Sequence, residues 1–132
     1  MAKLLAFGLS SDELAKVKRA AGSLKLRVEA VPPMLLRQSI GVLASRKIES
    51  LSESVQMGAE TEIFTGTPPQ ESLLVFCGLE ERMLDKLLGA LRRNEVQVDY
   101  KAVQTPSNQQ WSALRLYAEL EREKHSLGAA RV

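Results

Sequence analysis

Lys101, Thr105, Ser107 and Asn108 are the residues whose types and spacing come nearest to chemistry in this chain. Thr105 is placed to cap a helix, its hydroxyl accepting from an N–H of the first turn. Pro106 suits the first helical position, because its φ is fixed near the helical value and its missing N–H would have been unpaired there anyway. Asn108 stands three residues after the cap, where a capping box places Glu or Gln, so a short-armed reciprocal bond is expected. A helix N-terminus presents N–H groups and positive dipole to an anion, and this first turn carries no acid. With Lys101 one strand end away, the four residues are the expected contacts for a carboxylate or phosphate. The competing reading is structural: Pro106 removes one donor, Thr105 occupies another, and the motif serves capping and core packing.

Other chemistry is sparse. Cys77 is expected at a strand end beside a helix N-terminus, a position that can lower a thiol pKa, but Glu80 and Glu81 in that first turn oppose a thiolate. The single histidine, His125, is expected on a distant helix end, so Cys77 reads as a packed, inert thiol. One Cys and one His show no ligand spacing, and the carboxylates read as solvated helix faces. No catalytic residue, metal or cofactor is expected.

Several elements must position the junction. Trp111 opens an apolar run of Leu114, Leu116, Tyr117 and Leu120, which predicts a helix from Pro106 onward with Trp111 buried on its inner face. Val96–Tyr100 alternates apolar with polar side chains and predicts the preceding strand. Leu84, Leu87, Leu88 and Leu91 fall at helical spacing ahead of it, with Asn94 as the stop. Leu73–Phe76 is a continuous apolar run suited to a strand covered on both faces.

The N-terminal segment repeats this order. Leu4–Phe7 ends at Gly8, and Ser10 and Glu13 are spaced as a capping box for a helix carrying Leu14, Val17, Ala21 and Leu24. Leu26, Val28 and Ala30 alternate with Arg27 and Glu29, and Pro32-Pro33 lead into a helix with Leu36, Ile40 and Leu43. The chain therefore reads as one α/β domain of two β-α-β-α half-repeats, residues 1–44 and 73–126, each crossing over right-handed. One small sheet flanked by helices on both faces is expected, with a ferredoxin-like α+β sandwich as the alternative. Residues 45–72, rich in Ser, Gly and Pro, form the connection. Within it Ile48, Leu51 and Val55 share a helical face and Ile63-Phe64 reads as a short edge strand.

The 132 residues suffice for a core without metal or disulfide support, and a single cysteine fits a reducing cytoplasm. No segment approaches the ~20 apolar residues of a membrane span, and Leu4–Leu9 is too short for a signal-peptide core. Residues 1–49 hold nine Lys/Arg against four acids, and residues 50–132 nine against twelve. The basic half lacks the stacking aromatics that single-stranded nucleic acid calls for, so nucleic-acid binding is not expected. Membrane association is not expected either.

Lys101, Thr105, Asn108 and Trp111, with Tyr117, Glu119 and the Glu123–His125 end, resemble the signature of a bacterial and archaeal domain family of unknown function. Members of that family carry a Leu-Val-Phe-type strand and a Leu-rich helix ahead of the motif, similar to Leu73–Phe76 and Leu84–Leu91. The resemblance covers roughly residues 73–125, while the N-terminal half is similar to the family's upstream region only loosely. It implies no reaction, cofactor or catalytic residue.

Two functions follow as expectations. The first is a non-enzymatic interaction or assembly module, because a helix from Pro106 to His125 would run about 30 Å at 1.5 Å per residue and outreach a strand of ~17–20 Å. Its partner would be a second copy or another protein, met through the C-terminal helix. The second is a sensor that holds a small anion at Lys101 and Thr105–Asn108.

Overall fold

The computed structural model describes residues 2–56 and 63–131. Two short runs, Lys3–Phe7 (β1) and Leu73–Cys77 (β3), are buried along their whole length. Each consists almost wholly of large apolar side chains, so both faces of each strand need a cover. They pair antiparallel at the centre of a four-stranded sheet of order β2-β1-β3-β4. The outer strands are Arg27–Ala30 (β2), parallel to β1, and Tyr100–Val103 (β4), parallel to β3. Each parallel pair is one strand–helix–strand crossover, and the antiparallel centre joins the two units.

One face is covered by Ser11–Gly22 (α1) and Glu81–Arg93 (α4). Val17, Ala20 and Ala21 of α1 and Leu87, Ala90 and Leu91 of α4 bury Leu4, Ala6, Leu74 and Phe76. The opposite face packs Leu5, Phe7, Leu73 and Val75 beneath Ile40–Ser45 (α2), Ile48–Gln56 (α3) and Ala113–Arg131 (α5). Period-2 alternation along β1 and β3 thus feeds two separate cores. Helices on both faces make this the expected α/β arrangement and not the ferredoxin-like alternative, which leaves one sheet face bare.

Several expected elements form as read. Ser10 caps α1, its Oγ accepting from Glu13 N at 3.2 Å. Asn94 ends α4, its side-chain amide donating to Ala90 O at 2.8 Å. Ile48 and Leu51 are the buried face of α3, while the side chain of Val55 lies outside the described residues.

Three boundaries differ. The strand expected at Val96–Tyr100 begins only at Tyr100. Val96 and Val98 do pack against the α1/α4 core, but the backbone here bonds to side chains: Gln97 N donates to Glu13 Oε2 at 3.2 Å and Asp99 N to Ser72 Oγ at 2.9 Å. The ladder starts where Tyr100 N donates to Ser72 O at 2.9 Å. The helix expected to carry Leu36, Ile40 and Leu43 divides into a 3₁₀ turn, Pro33–Leu35, and α2, because Ser39 is extended (φ −71°, ψ 152°) and bridges to Ser112. Ile63-Phe64 is no strand; Phe64 N donates to Met34 O at 3.1 Å and its ring packs on the core.

A partly buried ion pair stands between α2 and α3. Lys3, only 3% exposed, donates from Nζ to Glu29 Oε1 at 2.5 Å and to Arg46 O at 3.0 Å. Glu29 Oε2 accepts from Ile48 N at 3.0 Å, so one carboxylate neutralises Lys3 and caps α3. Burial raises the Glu29 carboxyl, but the bonds from Lys3 and Ile48 N and the charges of Lys3 and Arg27 outweigh it and hold the pKa below the ordinary value.

Candidate functional site

The junction between β4 and α5 is built from a single turn, not from the start of the long helix. Thr105 Oγ1 accepts from Asn108 N at 3.1 Å, and Asn108 Oδ1 accepts from Thr105 N at 2.8 Å, so the reciprocal box forms. Asn108 Nδ2 also donates to Val103 O at 2.9 Å, and Gln109 N donates to Thr105 O at 3.0 Å. These bonds close one helical turn against the end of β4.

The helix itself starts seven residues later than Pro106, at Ala113. Ser112 is its cap: Arg115 N donates to Ser112 Oγ at 3.1 Å and Leu116 N to Ser112 O at 3.0 Å. Its first two N–H groups reach back across the molecule, Ala113 N to Gln38 O at 3.2 Å and Leu114 N to Leu36 O at 3.1 Å. α2 does the same in return, with Ile40 N donating to Trp111 O at 2.9 Å and Gly41 N to Gln109 O at 2.8 Å. Gly41 suits this approach, since a Cβ there would stand 3.1 Å from Gln109 O and the two segments would have to part by a few tenths of an ångström. Both helix starts are therefore satisfied by protein carbonyls.

All four sequence-predicted contacts, Lys101, Thr105, Ser107 and Asn108, line one cleft of about 320 Å³. Lys101, Thr105 and Ser107 are exposed and Asn108 is half-buried. Tyr100 and Ala102 face the core under α5, so strand alternation places Lys101 and Val103 on the other face of β4, where Val103 is 42% exposed. The sequence reading missed the far wall, which α5 supplies as Leu116, Glu119, Leu120 and Glu123. Their i, i+3, i+4, i+7 spacing is the signal for this wall in the sequence.

Trp111 is half-buried and not fully buried as expected, because it stands in the turn before α5 and not on its inner face. It packs on the core edge and carries the Arg115 guanidinium 4.6 Å from its ring centroid. The inner face of α5 is Ala113, Leu116 and Tyr117. Tyr117 meets Phe7 and Tyr100 edge to face at 6.2 and 6.3 Å and donates its hydroxyl to Glu71 O at 2.9 Å. Burial first, then the charges of Glu71 and Asp99, push its pKa up, so it stays a neutral donor.

Cys77 is buried at the end of β3, and burial pushes its thiol up to about 11 despite the lowering charge of Lys3. His125 falls where side chains are outside the described residues. A second cavity, of about 260 Å³, lies at the carboxyl ends of β1 and β2 beneath Pro68 and Pro69, and among the described residues that line it Tyr117 is the one with a titratable side chain. No group of three His, Cys, Asp or Glu among the described residues is placed to hold a metal ion. No described helix is long and apolar enough to cross a membrane.

No curated protein and no solved structure matches the chain. Residues 72–127, which begin at the start of β3 and run through the cleft into α5, match the model of a domain of unknown function (DUF3783).

Proposed function

We propose that this protein is a non-enzymatic interaction module that docks a partner protein, or a second copy of itself, on the cleft between β4 and α5 and on the outer turns of that helix. The observation that carries the reading is the mismatch between α5 and its sheet. Its 19 residues span ~28 Å at 1.5 Å per residue, against ~17 Å for the five residues of β3. Among the described side chains of α5, Tyr117 is the last that is buried, Leu120 is half-buried, and Glu121, Arg122, Glu123 and Lys124 are exposed, with Lys124 Nζ still 5.7 Å from the Tyr100 ring centroid. A helix that outreaches its own sheet offers side chains to another surface.

The cleft supports the same reading, because Val103, Trp111 and Leu120 give it apolar ground while Lys101, Glu119 and Glu123 give it charges of both signs. An apolar centre with a charged rim is the make-up of a protein contact. The anion-sensor reading ranks behind it: Thr105 and Asn108 spend their polar groups on each other, and Glu119 and Glu123 oppose an anion.

Light scattering over a concentration series, on the full chain and on a chain ending at Glu119, tests the proposal. The expected mass rises with concentration for the full chain alone. Monomeric mass for both removes self-association. If Leu120→Glu then leaves the set of proteins captured from native extract unchanged, the proposal fails.

A further inference from the structure

We infer that residues 2–56 are a second copy of the unit matched by the family at 72–127, and that the inner edge of β3 with the adjoining helix starts is a homotypic docking surface. In this chain the first unit fills that surface. A second copy of the C-terminal unit fits it as well. The inference concerns a different surface from the α5 cleft, and either stands without the other.

The evidence is a twofold relation carried by details that topology alone does not demand. Gly8 and Gly78 share φ 69° and stand 70 residues apart; Lys25 and Glu95, at φ 58° and 57°, are also 70 apart. A non-glycine residue in this left-handed region is uncommon, so its recurrence at one offset is not expected of two unrelated units. The central ladder obeys the same offset. Lys3 pairs with Cys77 and Phe7 with Leu73, two pairs that exchange when 70 is added or subtracted, and Leu5 against Val75 lies on the axis.

From β4 onward the offset is 73, the extra residues falling between the left-handed Glu95 and the strand start at Tyr100. At that offset the cross-capping is reciprocal. Ile40 N to Trp111 O maps onto Ala113 N to Gln38 O, and Gly41 N to Gln109 O maps onto Leu114 N to Leu36 O. Ser39 and Ser112, bridged to each other, lie on the same axis, and each hydroxyl caps the helix that follows it.

A pair of C-terminal units would place Val75 against Val75 of the second copy and Leu73 against its Cys77, apolar on apolar throughout. The Lys3 against Cys77 of the present pairing would become Leu73. Each α5 start would receive the carbonyls of residues 109 and 111 from the other copy. The excess of bases in residues 1–49 and of acids in residues 50–132 favours the unlike pair, so like pairs form on exchange as the minor product.

The test uses the full chain with a protease site introduced within residues 57–62, Cys77→Ala and Ser112→Cys. The folded protein is cut, exchanged in sub-denaturing urea, returned to buffer and oxidised. The expected result is a disulfide-linked dimer of the C-terminal piece, joined at position 112, beside retained unlike pairs. The uncut chain carrying Ser39→Cys, Ser112→Cys and Cys77→Ala should close an internal disulfide and form no disulfide between chains. Reassociation into unlike pairs with no linked C-terminal dimer would overturn the inference. So would separation of the cut pieces without re-pairing, or failure of the uncut control to cross-link at the axis.

Discussion

Ser39 and Ser112 face each other across a lone antiparallel bridge, and each caps the helix that follows it. Ser39→Ala and Ser112→Ala should therefore each cost about 1 kcal/mol, the ordinary worth of an N-cap. Their double variant should depart from the sum, since the two residues are in contact. Thr105→Ala, which loosens a single exposed turn, should cost less than either. Urea denaturation of the four variants checks the order, and a Thr105→Ala loss above that of Ser112→Ala would return the long helix to Pro106.

Trp111 should emit between the free and the fully buried limits and remain open to a neutral quencher, because it is half-buried at the rim of the cleft. Arg115→Ala removes a cation 4.6 Å from its ring and should cost about 0.5–1 kcal/mol with a change in emission. Strongly blue-shifted, unquenchable emission would contradict this placement.

Lys3→Met leaves Glu29 nearly buried without its cation and should cost about 3–5 kcal/mol. Glu29→Gln should release α3 at neutral pH. The sign follows from a carboxyl whose folded pKa is lowered: its stabilisation is complete above the ordinary carboxylate pKa and is lost as pH falls through the lower folded value. The stability gap between wild type and Glu29→Gln should accordingly shrink on acidification. A gap that widens in acid would contradict the assignment.

Cys77, with its thiol raised to about 11, should resist a disulfide reagent at pH 8 in the folded protein and react at once in denaturant. Fast labelling of the native chain would show a more open β3 end.

How much of this was legible varies by element. The β1 and β3 runs and the α1 and α4 stripes were readable, because continuous burial and 3.6-residue spacing are local signals. The start of α5 was not. Thr105-Pro106 is a sound helix start by local rules and does form a turn, but the helix begins where Gln38 and Leu36 supply carbonyls from the other unit, which no local pattern announces. β4 begins later for a related reason: alternation at Val96–Asp99 is real, yet Gln97 N and Asp99 N donate to Glu13 and Ser72, residues distant in sequence, and Val96 N to Leu91 O. Lys3 and Glu29 looked like ordinary strand-flanking charges, since their pairing depends on the β1–β2 register. Of the cleft, Lys101, Thr105, Ser107 and Asn108 stand close in sequence and line it together, whereas the α5 wall comes from residues that only the packing of the helix brings beside them.

The docking reading turns most directly on Leu120. A photoreactive side chain placed there in the full-length protein and activated inside cells should yield a covalent adduct with a protein, either a second copy or a different chain. The same group at exposed Asp85 on α4 should yield none. Adducts at both positions alike, or none at position 120, would contradict a partner surface on α5.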